Sequence, residues 1–261
     1  MSKTIMLIHG AWLTPAGWEP FKTRFETQGY KVIAPAWPYD DRPVAELKRS
    51  PHPELKNLTV AKIVDHYATK VRELPEPPII IGHSFGGLFT QLLLDRGLGA
   101  AGVAIDPAAP RGVIVGPTAL ISALPVLLAW NGWNRVLTMS FEGFSKNFAN
   151  GLPEGEKRAA YERQIVPTPG RVYFDGAIGI GTGVNWKNPT RAPLLLIAGE
   201  KDRTVTPGMV EATYRKHSTS PAVTAFKLFP GRSHFLCAEP GWEEVADYAI
   251  TWASQHASTR N

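Results

Sequence analysis

Short apolar runs alternate with segments of helical periodicity along most of this chain, and no other feature of the sequence constrains its fold as strongly. The first run, Ile5–Ile8, precedes a segment in which Trp18, Phe21 and Phe25 recur at helical spacing. Apolar runs separated by helical segments are typical of parallel strands connected by helices. The sequence therefore predicts an α/β fold with a mostly parallel sheet of about six strands flanked by helices. We assign the strands to Ile5–Ile8, Val32–Ala34, Ile79–Ile81, Val103–Ile105, Leu194–Ala198 and Ala225–Phe229.

The alternation stops between Pro107 and Pro193, where glycine, proline and aromatic residues are frequent. We predict that residues 107–193 form a cap of short helices inserted into a single domain that spans residues 1–261. Within this region, the stretch Gly112–Asn134 carries no charged side chain. Glycine and proline residues interrupt it, and its densest apolar part is too short to cross a bilayer. It is therefore predicted to be a buried or lid helix and not a transmembrane one.

Composition excludes several classes of protein. The chain has 261 residues and a single cysteine, Cys237, so it has no intramolecular disulfide, and a cysteine-based zinc site would lack its usual ligands. The formal net charge of +5 comes from scattered Lys and Arg residues, without the cationic runs of nucleic-acid-binding arms. The apolar run near the N-terminus is too short for the core of a signal peptide. We expect a cytoplasmic protein with no metal, nucleic-acid or membrane partner.

The strongest local motif is Gly82-His83-Ser84-Phe85-Gly86, which lies between a predicted strand and a predicted helix. It matches the G-x-S-x-G pattern of a nucleophile elbow in the required strand–turn–helix context. The two glycines allow a tight turn that lifts the serine hydroxyl out of the sheet. The helix that follows presents its N-terminus, where backbone N–H groups stabilise negative charge. Ser84 is therefore the candidate nucleophile.

A serine hydroxyl needs a base and an orienting carboxylate, and in this kind of fold the acid precedes the histidine along the chain. His234 follows the last predicted strand, and Asp202 follows the strand before it. Carboxyl ends of strands hold the sites of open α/β sheets, so both residues are well placed. Asp106 also ends a strand and stays open as the alternative acid, with Glu200 a third candidate. We favour Asp202 because of its position in the chain order.

Two backbone groups are candidates for binding an oxyanion. They are the N–H of Phe85, directly after the serine, and the N–H of Ala11, after the first strand. Aromatic residues near these loops and in the cap predict an apolar substrate pocket. We expect Trp12, Trp133 and Phe144 to contact the substrate.

With these motifs in order, nearly the whole chain resembles an α/β-hydrolase. Within that superfamily, the segments Met6–Trp12 and Gly29–Val32 are similar to those of small esterases related to plant methyl esterases and hydroxynitrile lyases. The resemblance implies a six-stranded, mostly parallel sheet, no cofactor, and hydrolysis of a carboxylic ester or a close relative.

Three functions remain open on the sequence. The first is a serine hydrolase that cleaves an apolar ester or lactone through an acyl-enzyme on Ser84. The second is a cofactor-free lyase or oxygenase in which His234 acts as a base, and the third is a ligand-binding protein without turnover. The related hydroxynitrile lyases carry a threonine where Gly10 stands and a lysine after the histidine, where this chain has Phe235. This departure favours the esterase.

Overall fold

The computed structural model describes residues 2–257. Its strands, in chain order, are β1 (Thr4–Ile8), β2 (Lys31–Ile33), β3 (Ile79–His83), β4 (Ala101–Ile105), β5 (Val136–Leu137), β6 (Thr168–Pro169), β7 (Leu194–Gly199) and β8 (Thr224–Phe229). Its helices are α1 (Glu19–Thr27), α2 (Val44–Arg49), α3 (Val60–Arg72), α4 (Phe85–Asp95), α5 (Pro117–Leu127), α6 (Phe141–Gly143), α7 (Glu154–Gln164), α8 (Gly170–Ile178), α9 (Pro207–His217) and α10 (Trp242–Ala257). Short 3-10 turns occur at Pro15–Trp18, Pro53–Asn57 and Gly132–Asn134.

Six strands form one sheet in the order β2-β1-β3-β4-β7-β8, and every pair of neighbours is parallel. This confirms the predicted sheet. The central strands are uniformly apolar because helices cover both faces of the sheet. Strand β3 continues two residues beyond the predicted end, to His83, and so delivers the serine motif directly to the carboxyl edge of the sheet.

Alternate residues of β3 pack into two different cores. Ile80 belongs to the core on the side of α3 and α4, whereas Ile79 and Ile81 belong to the core formed with α1 and α10. Successive side chains of a strand point to opposite faces, which explains this division. Helix α4, which follows the serine motif, is buried along all of its length except at Asp95. The serine motif is thus held between two well-packed elements.

Residues 107–193, which we call the cap, lie between β4 and β7 along the chain. They contain α5 to α8, a single π-type turn at Phe144–Phe148, and the antiparallel ribbon of β5 and β6. Helix α5 packs against α8. In the part of the chain that the structure describes, no helix is long and apolar enough to cross a membrane.

Candidate active site

Ser84 occupies a strained turn between β3 and α4. Its φ of 56° and ψ of −121° lie in a region that non-glycine residues rarely adopt. A Cβ atom at Gly82 would lie 2.1 Å from the carbonyl oxygen of Gly86, and a Cβ atom at Gly86 would lie 2.1 Å from that of Ile8. Both positions therefore require glycine. The close packing around the turn maintains the strained φ and ψ angles of Ser84. Such strained backbone is common at functional sites.

The two predicted oxyanion donors belong to backbone segments next to this serine. The hydrogen bonds of the turn run from the N–H groups of Gly87 and Leu88 to the carbonyl oxygen of Ser84. The N–H of Phe85 is in the first turn of α4, where no intrahelical acceptor exists. On the other side, a Cβ at Gly10 would lie 2.7 Å from Ser84 Cβ, so the backbone that leads to Ala11 passes directly beside the serine.

His234 and Asp202 form a buried pair on neighbouring loops. Asp202 follows β7 and His234 follows β8, and His234 Nδ1 donates to Asp202 Oδ2 across 2.6 Å. The other carboxylate oxygen, Oδ1, accepts from the N–H groups of Thr204 at 2.6 Å and Val205 at 2.8 Å. Within residues 2–257, His234 Nε2 has no hydrogen-bond partner. The bond at Nδ1 selects the tautomer in which Nε2 is a proton acceptor.

The alternative acid, Asp106, lies after β4 with a φ of 41° and is fully buried. Its Oδ1 accepts from the N–H of Gly199 at 2.7 Å, and its Oδ2 has no hydrogen-bond partner in the described residues. Burial, together with the neighbouring Asp202, raises the pKa of Asp106 well above its ordinary value. Burial also raises the pKa of Asp202, but the N–H groups of Val205 and Thr204 oppose that rise. Of the two carboxyls, Asp202 is the one bonded to the imidazole.

Burial lowers the pKa of His234, which keeps the imidazole neutral and able to accept a proton. Ligand atoms of His83, Asp106 and His234 lie within 4.8 Å of one another, a spacing that a metal ion could use. Hydrogen bonds already occupy atoms of all three, to the His234 carbonyl, the Gly199 N–H and Asp202. The hydrogen bond at Nδ1 orients the His234 imidazole.

Three residues outside the predicted site hold it in place. His83 Nε2 donates to the carbonyl oxygen of His234 at 2.8 Å. Glu239, which is buried, accepts from the N–H of Ser233 at 3.0 Å and from its hydroxyl at 2.7 Å, and so fixes the loop just before the histidine. Tyr173 accepts a 2.5 Å hydrogen bond from Trp12 Nε1. The elbow motif pointed to His83, but no sequence signal marked Glu239 or Tyr173.

A cavity of about 360 Å³ opens onto Ser84. Its floor is formed by Ser84, Phe85 and Trp12, and Tyr173 lies on its wall. The remaining wall is mainly apolar and comes from the cap and the start of α9, including Ala119, Leu120, Ala123, Val126, Leu137, Met139 and Met209. Trp12 thus lines the same cavity as the candidate nucleophile.

The expectation that Trp133 and Phe144 line the pocket is not met. Phe144 is fully buried and packs against Phe148, Tyr161 and Phe235, away from the cavity surface. Trp133 is half-exposed, packs edge-on against a neighbouring phenylalanine, and is not part of the cavity wall. Helical periodicity identified an apolar face in this region, but that face turns toward the core of the cap. Side chains of α5 and of the β5 ribbon form the wall instead.

Solved structures similar to this chain include several hydrolases. A monoacylglycerol lipase of Paleococcus ferrophilus is 21% identical, with a TM-score of 0.66 and coverage of 97% of this chain and 94% of the lipase. A pyrethroid hydrolase of Sphingobium faniae is 19% identical, with a TM-score of 0.68 over 97% and 98% of the two chains. A methylesterase of Arabidopsis is 14% identical, with a TM-score of 0.68 over 97% and 99%. At these identities the likeness establishes the fold.

Comparison with curated protein sequences gives no match. The model of the alpha/beta hydrolase family matches residues 5–248, which include all six strands of the large sheet and every residue of the candidate site. With that match and the fold described above, the chain belongs to the alpha/beta hydrolase family.

Proposed function

We propose that this protein is a serine hydrolase that cleaves a carboxylic ester or lactone through an acyl-enzyme on Ser84. The observation that carries the proposal is the strained backbone of Ser84 at the floor of an apolar cavity, with a neutral, carboxylate-bonded imidazole on a neighbouring loop. A serine hydroxyl, an imidazole with a free nitrogen and an orienting carboxylate are the parts that acyl transfer requires.

Ser84 Oγ attacks the ester carbonyl carbon, and His234 Nε2 takes the hydroxyl proton. Asp202 keeps His234 in the reactive tautomer and stabilises the imidazolium that forms. The negative charge on the former carbonyl oxygen is received by the N–H groups of Ala11 and Phe85. His234 then returns its proton to the departing alcohol oxygen. Water, deprotonated by the same imidazole, hydrolyses the acyl-enzyme and restores Ser84.

The mainly apolar wall of the cavity supports an apolar acyl or alcohol group. A volume of about 360 Å³ is at the small end of ligand sites, which supports a small molecule over a polymer chain. The similar solved structures include a lipase, a pyrethroid hydrolase and a methylesterase, and these names support an ester substrate for this chain as well.

The test is a panel of p-nitrophenyl esters, aryl esters and lactones assayed with the wild-type chain and with Ser84→Ala and His234→Ala. Both variants should lose nearly all turnover while keeping the wild-type circular dichroism spectrum, because both side chains act in the chemistry. Turnover that survives in Ser84→Ala but not in His234→Ala would contradict the acyl-enzyme and favour a lyase or oxygenase. A fluorophosphonate that fails to label Ser84, together with no turnover on any ester, would favour a ligand-binding protein.

A further inference from the structure

The uncharged stretch Gly112–Asn134 has a role that catalysis does not explain. It folds into α5 and the turns beside it, and seven of its large apolar side chains are exposed. We call this set the cap patch. Its members and their exposed fractions are Ile114 (88%), Val115 (44%), Leu120 (46%), Ile121 (62%), Leu128 (77%), Trp130 (88%) and Trp133 (50%). Single exposed apolar residues are ordinary in soluble proteins, whereas a set concentrated in one segment marks a binding surface.

The cap patch borders the mouth of the active-site cavity. Val115 and Leu120 are exposed and also line that cavity, so the apolar surface continues from the outside of the cap into the pocket. Ile121, Pro125 and Leu128 recur at helical spacing and are all at least intermediate in exposure, which places them along the outer face of α5. The inner face, by contrast, is buried at Ala119 and Val126. Helix α5 is thus apolar on both faces.

The two charged residues that flank the cap patch along the chain have the same sign. Between residues 107 and 141, the charged side chains are Arg111 and Arg135, and both are exposed. Basic side chains beside an apolar surface attract anionic lipid headgroups. Trp130 is nearly fully exposed, and tryptophan, with its apolar ring and polar N–H, favours the boundary between water and lipid.

We propose that the cap patch docks the protein peripherally on an anionic lipid surface, with its apolar side chains inserted and Arg111 and Arg135 on the headgroups. Helix α5 has 11 residues and is about 16 Å long, roughly half the thickness of a hydrocarbon core, so it lies in the interface without spanning it. Docking of this kind turns the cavity mouth toward the lipid. The substrate would then be an ester dissolved in that lipid, a conclusion that rests on the proposed function.

A second copy of the chain fits this surface less well. Pairing of two cap patches would cover Val115 and Leu120 at the mouth of each cavity. It would also bring Arg111 and Arg135 of the two copies close together, with no acidic residue between positions 107 and 141 to compensate. A lipid surface supplies both the apolar contact and the opposite charge.

Binding is tested by sedimentation of the full-length chain with vesicles of phosphatidylcholine alone or with one quarter phosphatidylglycerol. We expect binding to the anionic vesicles that weakens at high salt. Leu128→Ser with Trp130→Ser should weaken this binding at least tenfold. Arg111→Gln with Arg135→Gln should weaken it about 30-fold.

The matched control is the double variant Val223→Ser with Leu228→Ser, which changes two exposed apolar residues outside the cap and should bind as wild type. Leu128 and Trp130 lie outside the cavity wall, so hydrolysis of a short soluble ester should not change.

Three results would overturn the proposal: no binding by the wild-type chain, equal weakening by the control pair, or a dimer in light scattering that Leu128→Ser with Trp130→Ser dissociates. Sedimentation is repeated with Ser84→Ala, because docking does not require turnover. Vesicle binding without any ester hydrolysis would refute the proposed function and leave the docking surface standing. Ester hydrolysis without vesicle binding would refute the docking surface and leave the proposed function standing.

Discussion

Ser84 and Asp106 follow neighbouring strands, β3 and β4, and both hold positive φ angles. Each is buried at the same edge of the sheet, and each costs the fold of the order of 1–3 kcal/mol in backbone strain. At Ser84 the strained backbone orients the hydroxyl of the candidate nucleophile. For Asp106 it brings a second carboxyl close to the imidazole that Asp202 already holds. The roles of the two acids are therefore separable by experiment.

Asp202→Asn should lower kcat about 10³–10⁴-fold, because the amide favours the wrong tautomer of His234. Asp106→Asn should cost less than tenfold, because Asp202 and not Asp106 is bonded to Nδ1 of His234, and an amide oxygen can still accept from the N–H of Gly199. Both values come from steady-state rates on one p-nitrophenyl ester, with circular dichroism as the check on folding. The opposite ranking would transfer the acid role to Asp106.

For single residues, the sequence was informative where a role depends on neighbouring positions in the chain. Ser84 was proposed because its motif, strand and helix adjoin in the chain, and His234 because it follows the last predicted strand. The choice between Asp202 and Asp106 stayed open, since both follow strands and only the three-dimensional course of the loops decides which one reaches Nδ1 of the histidine. The Glu239 contacts with Ser233 depend on a buried turn that no pattern of residues marks.

The elbow between β3 and α4 tolerates no added side chain at Gly86. In Gly86→Ala the new Cβ would meet the backbone of β1, 2.1 Å from the Ile8 oxygen, where no side-chain rotation can relieve the clash. We expect a loss of about 3 kcal/mol or more in the free energy of unfolding. Gly155→Ala, on α7 with no atom within 4 Å of the new Cβ, is the matched control and should gain about 0.5–1 kcal/mol. Urea denaturation measures both, and equal effects would contradict this account of the elbow.

Stability and specificity are separable within the cap. Phe144→Ala removes a fully buried ring and should lower stability by about 3–5 kcal/mol while reducing the rates on all esters alike. Met139→Ala changes the cavity wall and should alter the ranking of acyl chain lengths, by about 1–3 kcal/mol of discrimination per methylene, at a smaller cost in melting temperature. Trp133→Ala should change neither the melting temperature nor the ranking of acyl chain lengths strongly. If Phe144→Ala alone changed the ranking of acyl chain lengths, Phe144 would have to be assigned to the pocket wall.

Most strands of the sheet were predictable because they contain a short, continuous apolar run, whereas in β8 Lys227 interrupts the run. The cap was predictable only as a region. Its phenylalanines at 141, 144 and 148 have helical spacing, yet the segment is a three-residue helix followed by a π-type turn, and the periodicity did not reveal which face meets the cavity. Wall and core positions in the cap have the same composition, so only tertiary packing distinguishes them.

Over the whole molecule, buried histidines set the response to acid. Burial lowers the pKa of His9 to about 4 and that of His217 to about 3, and it also lowers those of His83 and His234. Unfolded histidines titrate near 6.5, so the unfolded chain binds more protons below that pH and stability falls as the pH drops from 6.5 toward 4. The buried carboxyls Asp40, Asp106 and Asp202 oppose this, because burial raises the pKa of each, to about 7 for Asp40, and their protonation on acidification relieves a buried charge.

We therefore expect that, between pH 7 and pH 4, acidification lowers the free energy of unfolding in urea more steeply in Asp40→Asn than in the wild type, because the variant lacks one of the opposing titrations. Asp40→Asn should also be more stable than wild type at pH 8 and equal to it below pH 4. A flat profile in the variant would show that the histidines do not control the acid response.

Strands β4 and β7 are neighbours in the sheet, although residues 106–193 separate them along the chain. Ser84 and the loop through Ala11 precede that separation, whereas Asp202 and His234 follow it. During synthesis the N-terminal part leaves the ribosome first, and joining β4 to β7 must close a long loop at an entropic cost. A nascent or prematurely terminated chain would thus display its serine without the residues proposed to activate it. The proposed catalytic residues are all in place only after the last two strands, β7 and β8, have joined the sheet.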